Sequence, residues 1–251
     1  MTINLKKGDI KMKKYGIQLY SLRDISKDDF EGTLKAVADM GYKMVESAGF
    51  FGHDAKTVKG WLDKYGLEIC STHTGWGLLM DDFDATVQYH LDVGCKNLII
   101  PGAPHGNQAE IDTLVEKINE WQPKLAAKGI ALHYHNHWQE FVPNPDGSIT
   151  YDALVEKTNV LLEIDTYWAY IADKDPLALM DLYGDRVKFI HLKDGFKTKE
   201  GKSLGQGTAP VKAVLAKAEA TGRTIVVESE GLDPTGKEEV QRCIDFLKAQ
   251  Q

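Results

Sequence analysis

Cysteine is scarce in this 251-residue chain: Cys70, Cys95 and Cys243 lie far apart and form no CxxC pair. That excludes a disulfide framework and zinc-finger spacing, and it fits reduced thiols in a cytosolic protein. Long apolar runs are also missing. The longest are strand-sized, well short of the ~20 residues that cross a bilayer, and the segment Met1 to Lys11 lacks the apolar stretch of a signal peptide. The expectation is a cytoplasmic protein with no membrane partner. No cluster of Lys and Arg interrupts a net charge of −7, which argues against a nucleic-acid partner. Neither GxGxxG nor GK[ST] follows the first apolar run, where Ser21-Leu-Arg-Asp24 stands instead, so a dinucleotide or P-loop fold has no support.

What the chain does have is alternation. Strand-like runs at 15–21, 43–47, 67–73, 96–101, 130–135, 160–165, 187–192 and 223–228 are separated by amphipathic helical stretches. The helical patterns fall near 28–40, 54–65, 82–93, 108–128, 150–156, 175–183, 209–221 and 236–249. Gly41, Gly66, Gly94, Gly129 and Gly222 each stand between a helical pattern and the next strand, where a helix closes with left-handed backbone angles. Eight such units in one chain predict an α/β fold with right-handed crossovers, a single (β/α)8 TIM barrel over 15–251 preceded by an N-terminal extension at 1–14.

Barrel side chains alternate between lumen and helix layer, and chemistry collects at the strands' C-terminal ends. That parity turns inward Gln18 and Tyr20, Glu46, Ser71 and His73, His133 and His135, Glu163 and Asp165, His191 and Glu228. Buried charges at adjacent strand ends need compensation. Asp165, His191 and Glu228 therefore read as ligands of a divalent ion. An oxygen and nitrogen donor set suits Mn²⁺, Co²⁺ or Mg²⁺, with Zn²⁺ also compatible. His133, His135 and His137 offer imidazoles for acid/base work or substrate binding, or one of them a further ligand. Gln18, Glu46 and His73 are candidate substrate contacts. So are Trp168, whose face can pack on a sugar, and Lys193, whose ammonium can polarise a carbonyl or hold a hydroxyl.

The motifs Gly16-Ile-Gln-Leu-Tyr-Ser-Leu-Arg-Asp24, His135-Asn-His-Trp-Gln-Glu-Phe141, Ile164-Asp-Thr-Tyr-Trp168, Ile190-His-Leu-Lys-Asp194 and Leu204-Gly-Gln-Gly207 occur in this order. Together they resemble the sugar phosphate isomerase/epimerase branch of the xylose isomerase-like superfamily, over residues 15–249. The resemblance implies a fourth metal ligand from the fifth strand. Many relatives carry Glu where this chain has His133; the branch with His-Asn-His-x-x-Glu-Phe offers Glu140 instead, and Glu140 is the expected ligand. The chain departs from the pattern at Glu230, where Asp is common, and at Ala209-Pro210, where an acidic residue is common.

The implied activity is isomerisation or epimerisation of a keto sugar: a proton is removed beside a carbonyl polarised by the ion, with Glu228, His133, His135 or Glu140 as acid or base. Loss of a neighbouring oxygen substituent would make the same chemistry a lyase or dehydratase, and the histidine-rich fifth strand keeps that alternative open. A non-catalytic sugar-binding barrel would be expected to lose ligands, and here the set is complete. The expected partner is a small sugar or sugar derivative; homo-oligomerisation is left open.

Overall fold

A computed structural model describes residues 13–251; of the expected N-terminal extension, residues 1–12 lie outside the described ones. Among the described residues ten strands occur in chain order: β1 (Gly16–Gln18), β2 (Met44–Ser47), β3 (Glu68–His73), β4 (Asn97–Ile100), β5 (Ala131–His135), β6 (Leu161–Asp165), β7 (Val187–Leu192), β8 (Asp194–Gly195), β9 (Gly201–Lys202) and β10 (Thr224–Val227). All but β8 and β9 close into a parallel barrel of order β1-β10-β7-β6-β5-β4-β3-β2, and helices flank it, as a (β/α)8 fold requires. β8 and β9 form a separate antiparallel hairpin.

Local signals start and stop the helices where the sequence places them. Asp29, Asp54 and Asn107 cap the helices Phe30–Met40, Ala55–Tyr65 and Gln108–Ala126 by accepting from the N–H three residues on. Gly41 and Gly66 close the first two with φ of 110° and 65°. Among the described residues no helix is long and apolar enough to cross a membrane.

Three features differ from the periodicity. β1 ends at Gln18, because the Gln18 side chain accepts from Tyr20 N and folds Leu19–Leu22 into a 3-10 turn. Tyr20, expected in the lumen, is therefore 47% exposed. Short helices Trp76–Asp81 and Thr166–Ile171 follow β3 and β6 directly, too brief for a periodic signal. The third feature is the β8–β9 hairpin, which opens a loop that runs on to Ala209.

Two layers fill the lumen. Met44, Cys70, Ile99, Phe189 and Val226 pack as a small apolar cluster. Met44, Phe189 and Val226 each precede a polar lumen residue, Glu46, His191 and Glu228, by two positions, so the polar layer lies one step nearer the C-terminal mouth.

Asp194 organises the loop after β8. Its carboxylate accepts from the N–H groups of Gly195, Gly205, Gly207 and Ala209, so it holds backbone rather than substrate. A Cβ at Gly207 would strike the Asp194 carboxylate and stand 2.6 Å from Gly195 O. Gly207→Ala should therefore destabilise the protein by about 1–3 kcal/mol through forced displacement of this loop, measurable as a lower urea midpoint.

Candidate active site and metal centre

At the mouth, the ends of β6, β7 and β10 bring Asp165, His191 and Glu228 together. Their ligand atoms all lie within 4.8 Å of one another. His191 Nδ1 is 3.4 Å from Glu228 Oε2 and 4.0 Å from Asp165 Oδ2. Asp165 Oδ1 is used locally, accepting from Trp168 N to cap the helix Thr166–Ile171. Its Oδ2 and the Nδ1 of His191 are buried without hydrogen-bond partners. Two orphaned donor atoms beside a third carboxylate are the arrangement a divalent ion would satisfy, so the residues fit such an ion.

His191 is held from behind. Its Nε2 lies 2.6 Å from Glu46 Oε1 and 3.3 Å from Glu163 Oε2, and such a carboxylate fixes ring orientation and leaves the other nitrogen for a ligand role. Glu46 also accepts from Gln18 Nε2 (2.6 Å) and Ser71 Oγ (2.5 Å). Glu163 gathers His73 Nε2 at 2.8 Å and His135 Nδ1 at 3.0 Å. Burial would raise the pKa of Glu46, but the His73 and His191 imidazoles outweigh it and hold it at about 2. Burial and the charge of Glu46 push Glu163 up to about 7. Two adjacent carboxylates with opposed shifts share the protons of their histidines as one unit. His73, His135, Glu163 and His191 form a second convergent group, but its atoms already bond one another, which leaves the Asp165 group as the better ion site.

Buried Lys193 supplies the positive charge beside these carboxylates. Its ammonium lies 3.3 Å from Glu228 Oε2 and 3.8 Å from Asp165 Oδ2, bonds Glu230, and stands 4.5 Å over the Trp168 ring. Burial pushes Asp165 up to about 6, with Glu228 adding and Lys193 opposing. Burial disfavours the Glu228 anion too, yet Lys193 and His191 hold its pKa well below the usual range.

A cavity of about 470 Å³ opens over this layer, lined by His73, His135, His137, Glu228, Glu230 and Tyr20 among others. His73, His135, His137 and Glu228 are thus brought to one chamber as expected. Gln18 and Glu46, expected to touch substrate, are fully buried bracing residues one layer behind it. Trp168 and Lys193 back the carboxylates. Glu163 was expected in the lumen but without a role, and Glu230 stood out only as a departure from the family pattern; strand parity carried the first and nothing marked the second.

Two expected site residues are not brought there. Glu140 belongs to neither convergent group among the described residues. Its oxygens accept from Tyr134 OH at 3.2 Å and His137 N at 2.9 Å. Tyr134 alternates with His133 and His135 and so faces the helix layer, which turns Glu140 away from the lumen. His133 is in the lumen but too deep: its Nε2 contacts Asn97 Oδ1 at 3.1 Å and its ring stands edge-on to Phe189 of the apolar layer.

Burial lowers the pKa of His133 to about 3. Between that value and the ~6.5 of an unfolded histidine, only the unfolded chain takes up the proton. Stability from this group is complete above about pH 6.5 and falls as pH drops toward 3, by up to about 1.4 kcal/mol per unit. Urea unfolding at pH 4.5, 5.5, 6.5 and 7.5 should show a shallower acid loss for His133→Gln than for the natural chain.

A family description, xylose isomerase-like TIM barrel, matches residues 34–250. The chain belongs to that family. Within it, the chain is 25% identical over 195 residues to inosose dehydratase of Clostridium beijerinckii, covering 68% of this chain and 65% of that one. It is 27% identical over 191 residues to inosose dehydratase of Geobacillus kaustophilus, covering 64% and 60%. The chain thus spans somewhat less than two thirds of these relatives' length. A solved sugar phosphate isomerase/epimerase from Parabacteroides distasonis superposes with a TM-score of 0.83 at 26% identity, covering 96% of each chain.

Proposed function

We propose that the protein is a divalent-metal-dependent lyase acting on an uncharged keto sugar or keto-cyclitol, removing the proton beside the carbonyl and expelling a neighbouring oxygen substituent. The carrying observation is the chamber in which Glu228 faces three imidazoles, His73, His135 and His137. An ion held by Asp165, His191 and Glu228 would supply Lewis-acid polarisation of the carbonyl. Around it, Glu228 is placed to take the proton. Of the imidazoles, His137 is the least committed donor to a departing oxygen, since His73 and His135 are tied to Glu163. The dehydratase names of the curated relatives support elimination. The Parabacteroides structure's name supports the second reading, in which the proton is returned and an isomer or epimer results.

Among the described residues, no Lys or Arg lines the chamber. Lys193 is committed to Glu228 and Glu230, and Arg23 to the carbonyls of Tyr20 and Glu230. A phosphate there would meet Glu228 and Glu230 with no free cation among the described residues lining the chamber, so the reading favours an unphosphorylated substrate.

The test is metal analysis of the purified protein, followed by assays of inososes, ketoses and keto-glycosides with Mn²⁺, Co²⁺ or Mg²⁺. Elimination should yield an α,β-unsaturated or diketone product with a new ultraviolet absorbance. Deuterium at the α-carbon should slow turnover. Full activity after exhaustive chelation would overturn the metal dependence, and an epimer as the only product would overturn the lyase assignment.

A further inference from the structure

A second cavity, of about 340 Å³, adjoins the chamber, and Gly49, His73 and Leu78 line both. Its remaining wall comes from Phe50, after β2, and from the helices Trp76–Asp81 and Phe83–Val93 beyond β3.

Apart from the exposed carboxylates of Asp81 and Asp82, most polar atoms of this wall are already used within the protein. His90 Nε2 is bonded to Thr72 Oγ1 and Thr74 Oγ1, at 2.7 and 3.0 Å, and its Nδ1 meets Thr86 O at 2.7 Å. Thr86 Oγ1 donates to Leu78 O, and Tyr89 OH donates to His53 O. What remains for a ligand away from those carboxylates is mainly ring face and methyl: Phe50 and Tyr89 lie 4.5 Å apart with a 36° tilt, beside Leu78 and Ala85. Leu78, which lines both cavities, is 59% exposed, and Tyr20 on the chamber wall is 47% exposed. Large apolar side chains kept in water around a concave site mark binding surfaces more often than single exposed residues do. The charged lining residues are Asp81 and Asp82, which repel anions.

We infer that this side cavity is a subsite for an uncharged aromatic or similarly apolar ring attached to the keto sugar, and that the substrates include keto-glycosides with such a substituent. The inference rests on the function proposed above and narrows its substrate class. A sugar in the chamber reaches the side cavity past His73 and Leu78 without crossing the protein. The volume is ample, since an apolar cavity of about 150 Å³ already accommodates benzene.

The test compares methyl and phenyl 3-keto-β-D-glucopyranosides binding to the metal-loaded protein, by calorimetry and by NMR of labelled Ala85 methyls. The phenyl compound should bind about 10-fold more tightly or better and shift the Ala85 resonance, while the methyl compound leaves it in place. Ala85→Phe fills the side cavity from an exposed helix position outside the catalytic chamber. It should remove the phenyl preference and leave methyl glycoside binding unchanged. Equal affinities, a silent Ala85 methyl, a phenyl preference that survives in Ala85→Phe, or failure of both compounds to bind would each overturn the subsite. So would concentration-dependent dimerisation that covers Leu78 and Ala85. If both compounds bind with the expected preference but neither is turned over, the lyase reading fails while the subsite stands.

Discussion

Asp165→Asn is expected to weaken divalent-ion binding by at least ~100-fold, beyond the 10–100-fold range typical of groups that only support ligands, and to abolish metal-dependent turnover. The substitution is informative because Asp165 performs two separable tasks. Oδ1 caps the helix Thr166–Ile171, a role that Asn fulfils about equally well. Oδ2 is the buried orphan beside His191 and Glu228, and a neutral amide there supplies no anion. Thermal unfolding in chelator should therefore change little, while calorimetric titration with Mn²⁺ should lose its signal. Retention of natural affinity by Asp165→Asn would move the ion away from this cluster.

The largest loss of stability is expected at Glu46. It is fully buried and accepts from Gln18 and Ser71 while facing His73 and His191. Glu46→Ala strips the countercharge from two buried imidazoles at once, a loss on the order of 3–5 kcal/mol, or about 10 °C in melting temperature for a chain of this size. Glu46→Gln, which keeps the volume and one acceptor, should lose less. A melting temperature within a degree or two of the natural protein for Glu46→Ala would show that Glu163 alone neutralises the histidines.

These two expectations differ in how far sequence could reach them. The eight units were legible because their signals are local: apolar runs of strand length, acidic caps such as Asp29 and Asp54, and glycines at helix ends. Asp165, His191 and Glu228 were legible because strand parity and a shared C-terminal position suffice to make them converge. Parity does not encode depth, however. His133 and His135 have the same parity, yet one stands on Phe189 in the apolar layer and the other lines the chamber.

Glu140 illustrates a different limit. A carboxylate in a single 3-10 turn, Gln139–Phe141, is placed by whichever donors the turn happens to meet, here Tyr134 OH and the N–H of His137. Tyr134 has a place in the strand alternation, but the His137 N–H lies beyond β5 and follows no repeating pattern. The division of labour between Glu46 and Glu163 was hidden for a third reason. It depends on contacts from β2 to β7 across the lumen, which no segment of the sequence displays alone.

Those contacts across the lumen also set an order in time. Glu46 precedes the histidine it orients by 145 residues, and Glu228 lies on the closing side of β10, the strand that pairs with β1 to seal the barrel. Contacts between such distant segments form late, since each closes a long loop. A nascent chain that has not yet released Thr224–Val227 and Glu228 from the ribosome has two of the three convergent side chains and no closed wall to hold them. On the proposed assignment, an ion that needs all three side chains is captured only after the last strand has joined β7.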